Sequence, residues 1–162
     1  MASVVIALGS NLNNPHKQLC IAKDFLAKIS TSEVLVSSIY KSEPVGPSEK
    51  DFFNAIIRIE TTLSPSQLFN QLKNQEKTQG RPSRYPKWTS RTIDLDIIAY
   101  DDLVLETDNL IIPHTEYKNR LFVLLPLKEV LPEWRDKSNA QTIEDMIKKA
   151  PQIRIEKTKL AW

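Results

Sequence analysis

Glycine is scarce in this chain, with 3 residues in 162, and cysteine occurs once. So little glycine leaves no room for a phosphate-cradling loop: no Gly-x-x-x-x-Gly-Lys-Ser/Thr string exists, and the glycine-rich loop and partner motifs of protein kinases are also missing. A single cysteine, Cys20, excludes an internal disulfide and a thiolate zinc cluster, and its place in an apolar helical stripe reads as a small buried hydrophobe rather than a nucleophile. His16 and His114 are too few and too far apart to suggest zinc. Long apolar runs are lacking too. Residues 4–8 and 121–127 fall far short of the roughly 18 needed to cross a bilayer, and no basic region precedes the first apolar run, which argues against a secretory signal. Neither sign of charge prevails: 22 Lys and Arg against 20 Asp and Glu leave +2, too little to argue for a nucleic-acid or membrane partner from the overall field. These absences suit a reducing cytoplasm.

What is present is ordinary globular composition, 41% hydrophobic and 26% charged, in a length that suits one core, so a single domain over 1–162 is expected. Residues 4–8 read as a buried strand running into the turn signal 9–15, and Leu19, Ala22, Leu26 and Ile29 then mark one face of a helix. Residues 34–40 read as a second strand. Residues 52–61 alternate, with Phe53, Ala55, Ile57 and Ile59 on one face and Phe52, Asn54, Ile56 and Arg58 on the other. Ser64-Pro65-Ser66-Gln67 carries a capping serine, a first-turn proline and a reciprocating glutamine, so a helix should start there and stop near Gly80. On that helix Leu68, Leu72 and Glu76 fall on one line, which puts an acid on the apolar face. Residues 92–100 form an alternating strand with Ile93, Leu95, Ile97 and Ala99 on one side and Asp94 and Asp96 on the other. Short runs at 103–106 and 110–112 suggest a hairpin, 121–130 a helix interrupted by Pro126, 142–150 a short helix, and Ile153 with Ile155 a last strand. This irregular alternation favours an α+β architecture, a two-layer or three-layer α/β sandwich with a mainly antiparallel sheet.

Two features carry chemistry. Asp94 and Asp96, two apart on a strand, direct their carboxylates to one face about 6.5 to 7 Å apart; such neighbours repel, which calls for a hard cation or a basic partner, and two ordinary acids on a solvated strand face are the alternative. Just before them, residues 77–93 hold Lys77, Arg81, Arg84, Lys87 and Arg91, interleaved with Tyr85 and Trp88 and without a single acid. Arginines of this kind clamp phosphate oxygens, and beside a magnesium held by the aspartates they would suit a nucleoside triphosphate. Alternatively, basic residues interleaved with aromatics can stack on single-stranded nucleic acid, and without the adjoining aspartates a solvated loop would be the plainest reading. His114, between Pro113 and the basic Lys118 and Arg120, reads either as a phosphate donor or as a surface histidine. A nuclease or nucleotidyltransferase sharing only the aspartate pair is a further alternative.

The residues in order resemble the 6-hydroxymethyl-7,8-dihydropterin pyrophosphokinase family of folate biosynthesis. Arg91-Thr92-Ile93-Asp94-Leu95-Asp96-Ile97-Ile98 resembles its signature, and residues 7–12, 40–47, 52–55, Gly80-Arg81, Trp88, Pro113-His114 and Asn119-Arg120-Leu121-Phe122 stand in family order. The resemblance implies a ferredoxin-like antiparallel core and transfer of pyrophosphate from ATP, the co-substrate, to the pterin hydroxymethyl, releasing AMP. It implies two Mg2+ ions on Asp94 and Asp96, Arg81 and Arg91 at the phosphates, and Arg84 and Trp88 on a loop, 81–90, that closes over ATP. Glu76, His114 and Arg120 match ATP-side positions. Phe52 and Phe122 would stack on the pterin and Asn54 would both donate to and accept from its ring edge, with Ser42 and Val45 lining the same pocket. The resemblance further implies a cytoplasmic monomer acting on small molecules, with no nucleic-acid or membrane partner. Two positions depart from the family pattern: Thr89-Ser90 replaces a frequent Gly-Pro, and Thr115 stands where an aromatic or proline is frequent.

Overall fold

The computed structural model of the chain describes residues 1–44, 50–80 and 92–162. Strand β1 (Ala2–Ser10) leads into helix α1 (Pro15–Ile29), followed by the short strands β2 (Leu35–Val36) and β3 (Tyr40–Ser42), then β4 (Phe52–Thr61), α2 (Pro65–Thr78) and β5 (Asp94–Tyr100). A hairpin of β6 (Leu105–Glu106) and β7 (Ile111–Ile112), helices α3 (Leu121–Val130) and α4 (Ile143–Lys149), and β8 (Ile155–Lys157) complete the order. The main sheet runs β5-β1-β4-β3-β8, with β2 also on β4, and every pairing is antiparallel. The chain order β1-α1-β3-β4-α2-β5, with β5-β1-β4-β3 across the sheet, reproduces the expected ferredoxin-like order. One face of the sheet packs on α1 and α2 through Val4, Ile6, Leu8, Ile57 and Ile59. The other packs on α3 and α4 through Val5, Ile56 and Ile98. The sandwich is therefore three-layered.

Local signals account for the helix ends. Ser64 Oγ accepts from the Gln67 N–H at 3.2 Å while Gln67 Oε1 accepts from the Ser64 N–H at 2.9 Å, the reciprocal cap read from the sequence. Gly80 stops α2 with φ 103°, a left-handed conformation that a side chain would strain. Helix α3 continues through Pro126, buried among apolar neighbours, so burial outweighs the ladder bond that proline cannot donate.

Two irregularities in the sheet were not legible in the alternation pattern. Val36 pairs with Ile57 but Tyr40 pairs with Asn54, so this stretch takes one residue more than β4 over the same interval. Residues 34–40 are consequently not one strand. Ser37 fills the interruption, its N–H donating to Ile56 O and its Oγ accepting from the Ile56 N–H, both at 2.9 Å. The bulge rotates Tyr40 and Ser42 to the α3 side, whereas Val36 packs on the α1 side. A second irregularity lies between Val5 and Ile6, which pair with Ala99 and Ile97. It places both Ile98 and Ala99 on the α3 side, so Ala99 does not share a face with Leu95 and Ile97 as the alternation suggested. Cys20 is half-buried rather than core, with Sγ 3.9 Å from His16 Nε2.

Polar contacts hold the α3–α4 layer in place. Glu129 of α3 accepts from the Ser38 N–H (2.9 Å), Ser38 Oγ (3.0 Å) and the Tyr40 hydroxyl (2.9 Å). Buried Asp136 accepts from the Tyr117 hydroxyl and from the Ser138 N–H at 2.8 Å. Burial would raise the Glu129 carboxyl, but its hydrogen-bond donors outweigh that and hold it below its ordinary 4.5. A lowered carboxyl contributes stability that is present above its unfolded value and is lost as pH falls through the folded one. Glu129→Gln should therefore lose about 1 to 2 kcal/mol at neutral pH, a deficit that shrinks below pH 4.5. Urea melts of both proteins at pH 7 and pH 3.5 measure it, and a deficit unchanged at low pH would rule out the ionised carboxylate as its source.

Candidate active site

The middle strand of the sheet meets its two neighbours at one glycine. Gly9 of β1 stands opposite Asn54 of β4 on one side and Asp94 of β5 on the other. Lacking a side chain, it leaves a floor between them, and a cleft of about 670 Å3, counting its open mouth, rises from that floor beneath α3. Asn54, Phe52, Asp94, Asp96, His114 and Phe122 all line it. Ser42 and Arg120 line it too, so the described residues named from the sequence converge there, Glu76 apart.

Asn54 is buried, and its Nδ2 donates to Ser42 Oγ at 2.8 Å, with longer contacts to Tyr40 O (3.3 Å) and Phe52 O (3.4 Å). Its donor half is thus committed to the protein, which differs from an amide that both donates and accepts. Its acceptor, Oδ1, lies 3.5 Å from where a Cβ on Gly9 would stand. Phe52 and Phe122 are half-buried, not core, and each presents part of its ring to the cleft. Arg120 lies with its guanidinium carbon 5.8 Å from the Phe122 ring centroid, a distance that lets a cation attract the ring face.

A second cleft of about 780 Å3, again including open space, adjoins the first on the α2 side. Phe69 and Lys73 of α2, Leu110 and Ile111 of the hairpin, and Thr115 line it. Asp96 and His114 border both clefts. Helical spacing could have pointed to Lys73, which falls one turn before Glu76; the hairpin residues carried no local signal, since only the tertiary fold brings them to β5.

Glu76 lines neither cleft but sits behind them. Its side chain is buried, and Oε2 accepts from the Leu95 N–H at 2.8 Å, between the two aspartates. Edge strand β5 points this N–H away from β1, so a carboxylate on the apolar face of α2 is what satisfies it. The same oxygen is 3.3 Å from Lys73 Nζ, which is 3.9 Å from Asp96 Oδ1.

His114 is held by its N–H, which donates to Ile98 O at 3.0 Å, and its Nδ1 accepts from the Glu116 N–H at 3.2 Å. Burial pushes its pKa down, against the opposing pull of Asp96, so the ring is neutral near pH 7. With Nδ1 accepting, the proton sits on Nε2, which makes this nitrogen a donor. The ring thus sits half-buried at the cleft junction rather than on the open surface.

Asp94 and Asp96 fit a hard cation by the chemistry of their donors: carboxylate oxygens spaced along one strand and facing one cleft. Among the described residues no three His, Cys, Asp or Glu side chains gather into a fuller ligand set. The remaining ligands would have to come from substrate and water. Val45, Arg81, Arg84, Trp88 and Arg91, and with them the expected closing loop 81–90, lie outside the described residues.

The rim of the first cleft is tied to the far strand. Glu43, which lines it, donates its N–H to Arg154 O at 3.0 Å, and its Oε1 accepts from the Arg154 N–H at 2.6 Å. The Arg154 guanidinium grips Asp51 through two bonds of 2.8 and 2.9 Å.

Comparison with known proteins agrees with this architecture. The fold defines an α+β sandwich shared with solved pyrophosphokinase structures: the wild-type Plasmodium falciparum HPPK-DHPS structure superposes with a TM-score of 0.69 over 91% of this chain at 15% identity. The chain spans 44% of that longer protein. Among curated sequences, the 2-amino-4-hydroxy-6-hydroxymethyldihydropteridine pyrophosphokinase of Haemophilus influenzae is 42% identical over 155 residues, covering 91% of this chain and 92% of that protein. The Pseudomonas aeruginosa protein of the same name is 38% identical, covering 82% of each. Residues 5–132 match the model of the 7,8-dihydro-6-hydroxymethylpterin-pyrophosphokinase family, and the chain belongs to that family.

The open floor generates a test with two opposite signs. A Cβ on Gly9 would meet Asn54 Oδ1 at 3.5 Å and Phe52 Cδ1 at 3.8 Å, ordinary contacts that the fold tolerates. Gly9→Ala should therefore stabilise the protein by about 0.4 to 1 kcal/mol through the unfolded chain. The same methyl should weaken 6-hydroxymethylpterin, titrated by fluorescence, several-fold. Unchanged binding would show that the ligand does not rest on this floor.

Proposed function

We propose that the chain, as one domain over 1–162, transfers a pyrophosphoryl group from ATP to the hydroxymethyl of 6-hydroxymethyl-7,8-dihydropterin, giving AMP and the pterin diphosphate for folate synthesis. The observation that carries this reading is the pair of adjoining clefts that share Asp96 and His114. A reaction that joins two small molecules needs two binding spaces meeting at the reacting atoms.

The first cleft takes the pterin. Its flat ring lies against Phe52 and Phe122, and Asn54 Oδ1 accepts from an N–H on its edge. Ser42 acts one step back, because its Oγ holds the Asn54 amide and so fixes which end of that amide faces the ligand. Val45 belongs to the same pocket by its place in the family pattern. The second cleft takes the nucleotide, with its base against Phe69 and its phosphates directed toward Asp96. His114 Nε2 and Arg120 donate to phosphate oxygens, as do Arg81, Arg84 and Arg91, while Trp88 covers the nucleotide. Glu76 supports ATP binding indirectly, since it holds β5 against α2.

Asp94 and Asp96 hold magnesium, two ions in this reading, through oxygens facing the shared boundary. When bound, the metal would neutralise phosphate charge and lower the barrier to attack by the hydroxyl. The carboxylates, aligned by β5, orient the β-phosphorus so that the pterin oxygen forms its bond, its hydroxyl proton passing to solvent, as the bridging oxygen to the α-phosphorus departs with AMP. The enzyme acts as a cytoplasmic monomer without nucleic acid; among the described residues no helix is long and apolar enough to cross a membrane.

Product analysis decides the reaction. Incubation with ATP, Mg2+ and the hydroxymethyl dihydropterin should yield AMP and the pterin diphosphate in equal amounts, whereas ADP would refute the transfer. Asp94→Asn and Asp96→Asn should each cut kcat by at least about a thousandfold, in keeping with the loss of preorganised electrostatics, with Tm nearly unchanged. Near wild-type turnover in either variant would remove that aspartate from the metal site.

A further inference from the structure

Lys73 holds a position that the pyrophosphokinase chemistry does not by itself explain. It stands on α2 one turn before Glu76, lines the second cleft, and places its ammonium 3.3 Å from Glu76 Oε2 and 3.9 Å from Asp96 Oδ1. Its side chain is about one third exposed, at 34%, and Nζ lies 5.4 Å from the Phe69 ring centroid. Among the described residues it is the cation paired with Asp96. A buried acid, a metal-type carboxylate and an aromatic ring thus converge on one ammonium at the boundary between the clefts.

We propose that Lys73 makes divalent-metal binding at Asp94 and Asp96 conditional on nucleotide, an inference that rests on the metal reading of this aspartate pair. Without nucleotide, the ammonium neutralises Asp96 and opposes a second cation there. A divalent ion bound about 2.1 Å from Asp96 Oδ1 would lie no more than about 6 Å from Nζ. At that separation the repulsion is worth about tenfold in affinity even in a water-like dielectric. A polyphosphate in the second cleft supplies new anionic oxygens to the ammonium, which relieves the competition. Lys73 is therefore a positioning residue that couples two ligands, and by linkage metal must strengthen nucleotide binding by the same factor that nucleotide strengthens metal.

The position suits such a task because the alternative partner is permanent. Glu76 is tied to the Leu95 N–H and stays on the apolar face of α2, so it keeps Lys73 near Asp96 whether or not metal is present. A lysine on a flexible stem can turn from one anion to another, which a rigid guanidinium fork does less readily.

The test is a titration with Mn2+ alone, read from the EPR signal of the free ion, with and without α,β-methylene-ATP, on wild type, Lys73→Met and Lys73→Arg. In the absence of nucleotide, Lys73→Met should bind Mn2+ about three- to tenfold tighter than wild type, by the Coulomb estimate above. The enhancement that nucleotide brings should shrink by the same factor, while Lys73→Arg, which keeps the charge, should bind Mn2+ as weakly as wild type in the absence of nucleotide. Affinity in Lys73→Met equal to or weaker than wild type overturns the proposal, provided its thermal melt shows a folded protein; if it does not, weaker nucleotide-free binding in Lys73→Arg than in Lys73→Gln supports the proposal, and equal binding overturns it. A separate failure is visible in Asp96→Asn: Mn2+ binding as tight as wild type would refute the metal reading itself, and the Lys73 coupling with it.

Discussion

The register of β1 between β4 and β5 is the constraint on which the site depends. A slip of one residue would turn every side chain of a strand to the opposite face. In the observed register Gly9 faces Asn54 and Asp94, so the glycine of β1 lies where the two strands that line the first cleft approach. The apolar halves of the same strands fix this register from the other face, where Val4, Ile6 and Leu8 are buried against α1 and α2. Site geometry and core packing are thus two readings of a single alignment.

Electrostatics then divides the site into zones. Burial disfavours the charged form of His114, so the junction of the clefts holds a neutral ring rather than a further cation. Glu76 keeps its charge out of both clefts, spending it on the N–H of Leu95 and on Lys73. Strand β5 brings the Asp94 carboxylate to the first cleft and that of Asp96 to both. Among the described residues, the Lys73 ammonium faces this strand edge from α2, in a chain whose overall charge is only +2.

Much of this was legible in the sequence where the deciding contact is local. The cap at Ser64, the stop at Gly80 and the facing of Asp94 and Asp96 follow from residues within one turn or one pleat. What could not be read depends on partners far along the chain. The break at Ser37 exists because its hydroxyl and N–H both bond Ile56, and the displacement of Ala99 arises from an irregular pairing with Val5, so neither strand's own alternation reveals it. For the same reason Glu76 was visible as an anomalous acid but its partner, the Leu95 N–H, was not. The family pattern named Phe52, Asn54, His114 and Phe122 together; the structure adds that Asn54 spends its donor on Ser42, and that Phe69, Lys73 and the hairpin enclose a second space.

The grip of Arg154 on Glu43 and Asp51 has a bearing on how the cleft comes into being. These contacts span 111 and 103 positions of sequence, against the two to four that hold each helix cap. Contacts of such long separation require the chain to close a large loop before they repay its entropy. During synthesis the strands that carry Asn54 and Asp94 leave the ribosome well before Arg154 does. The floor of the cleft can therefore form on a partial chain, but its rim is drawn together only when β8 joins β3, so ligand binding competence is a late property of folding.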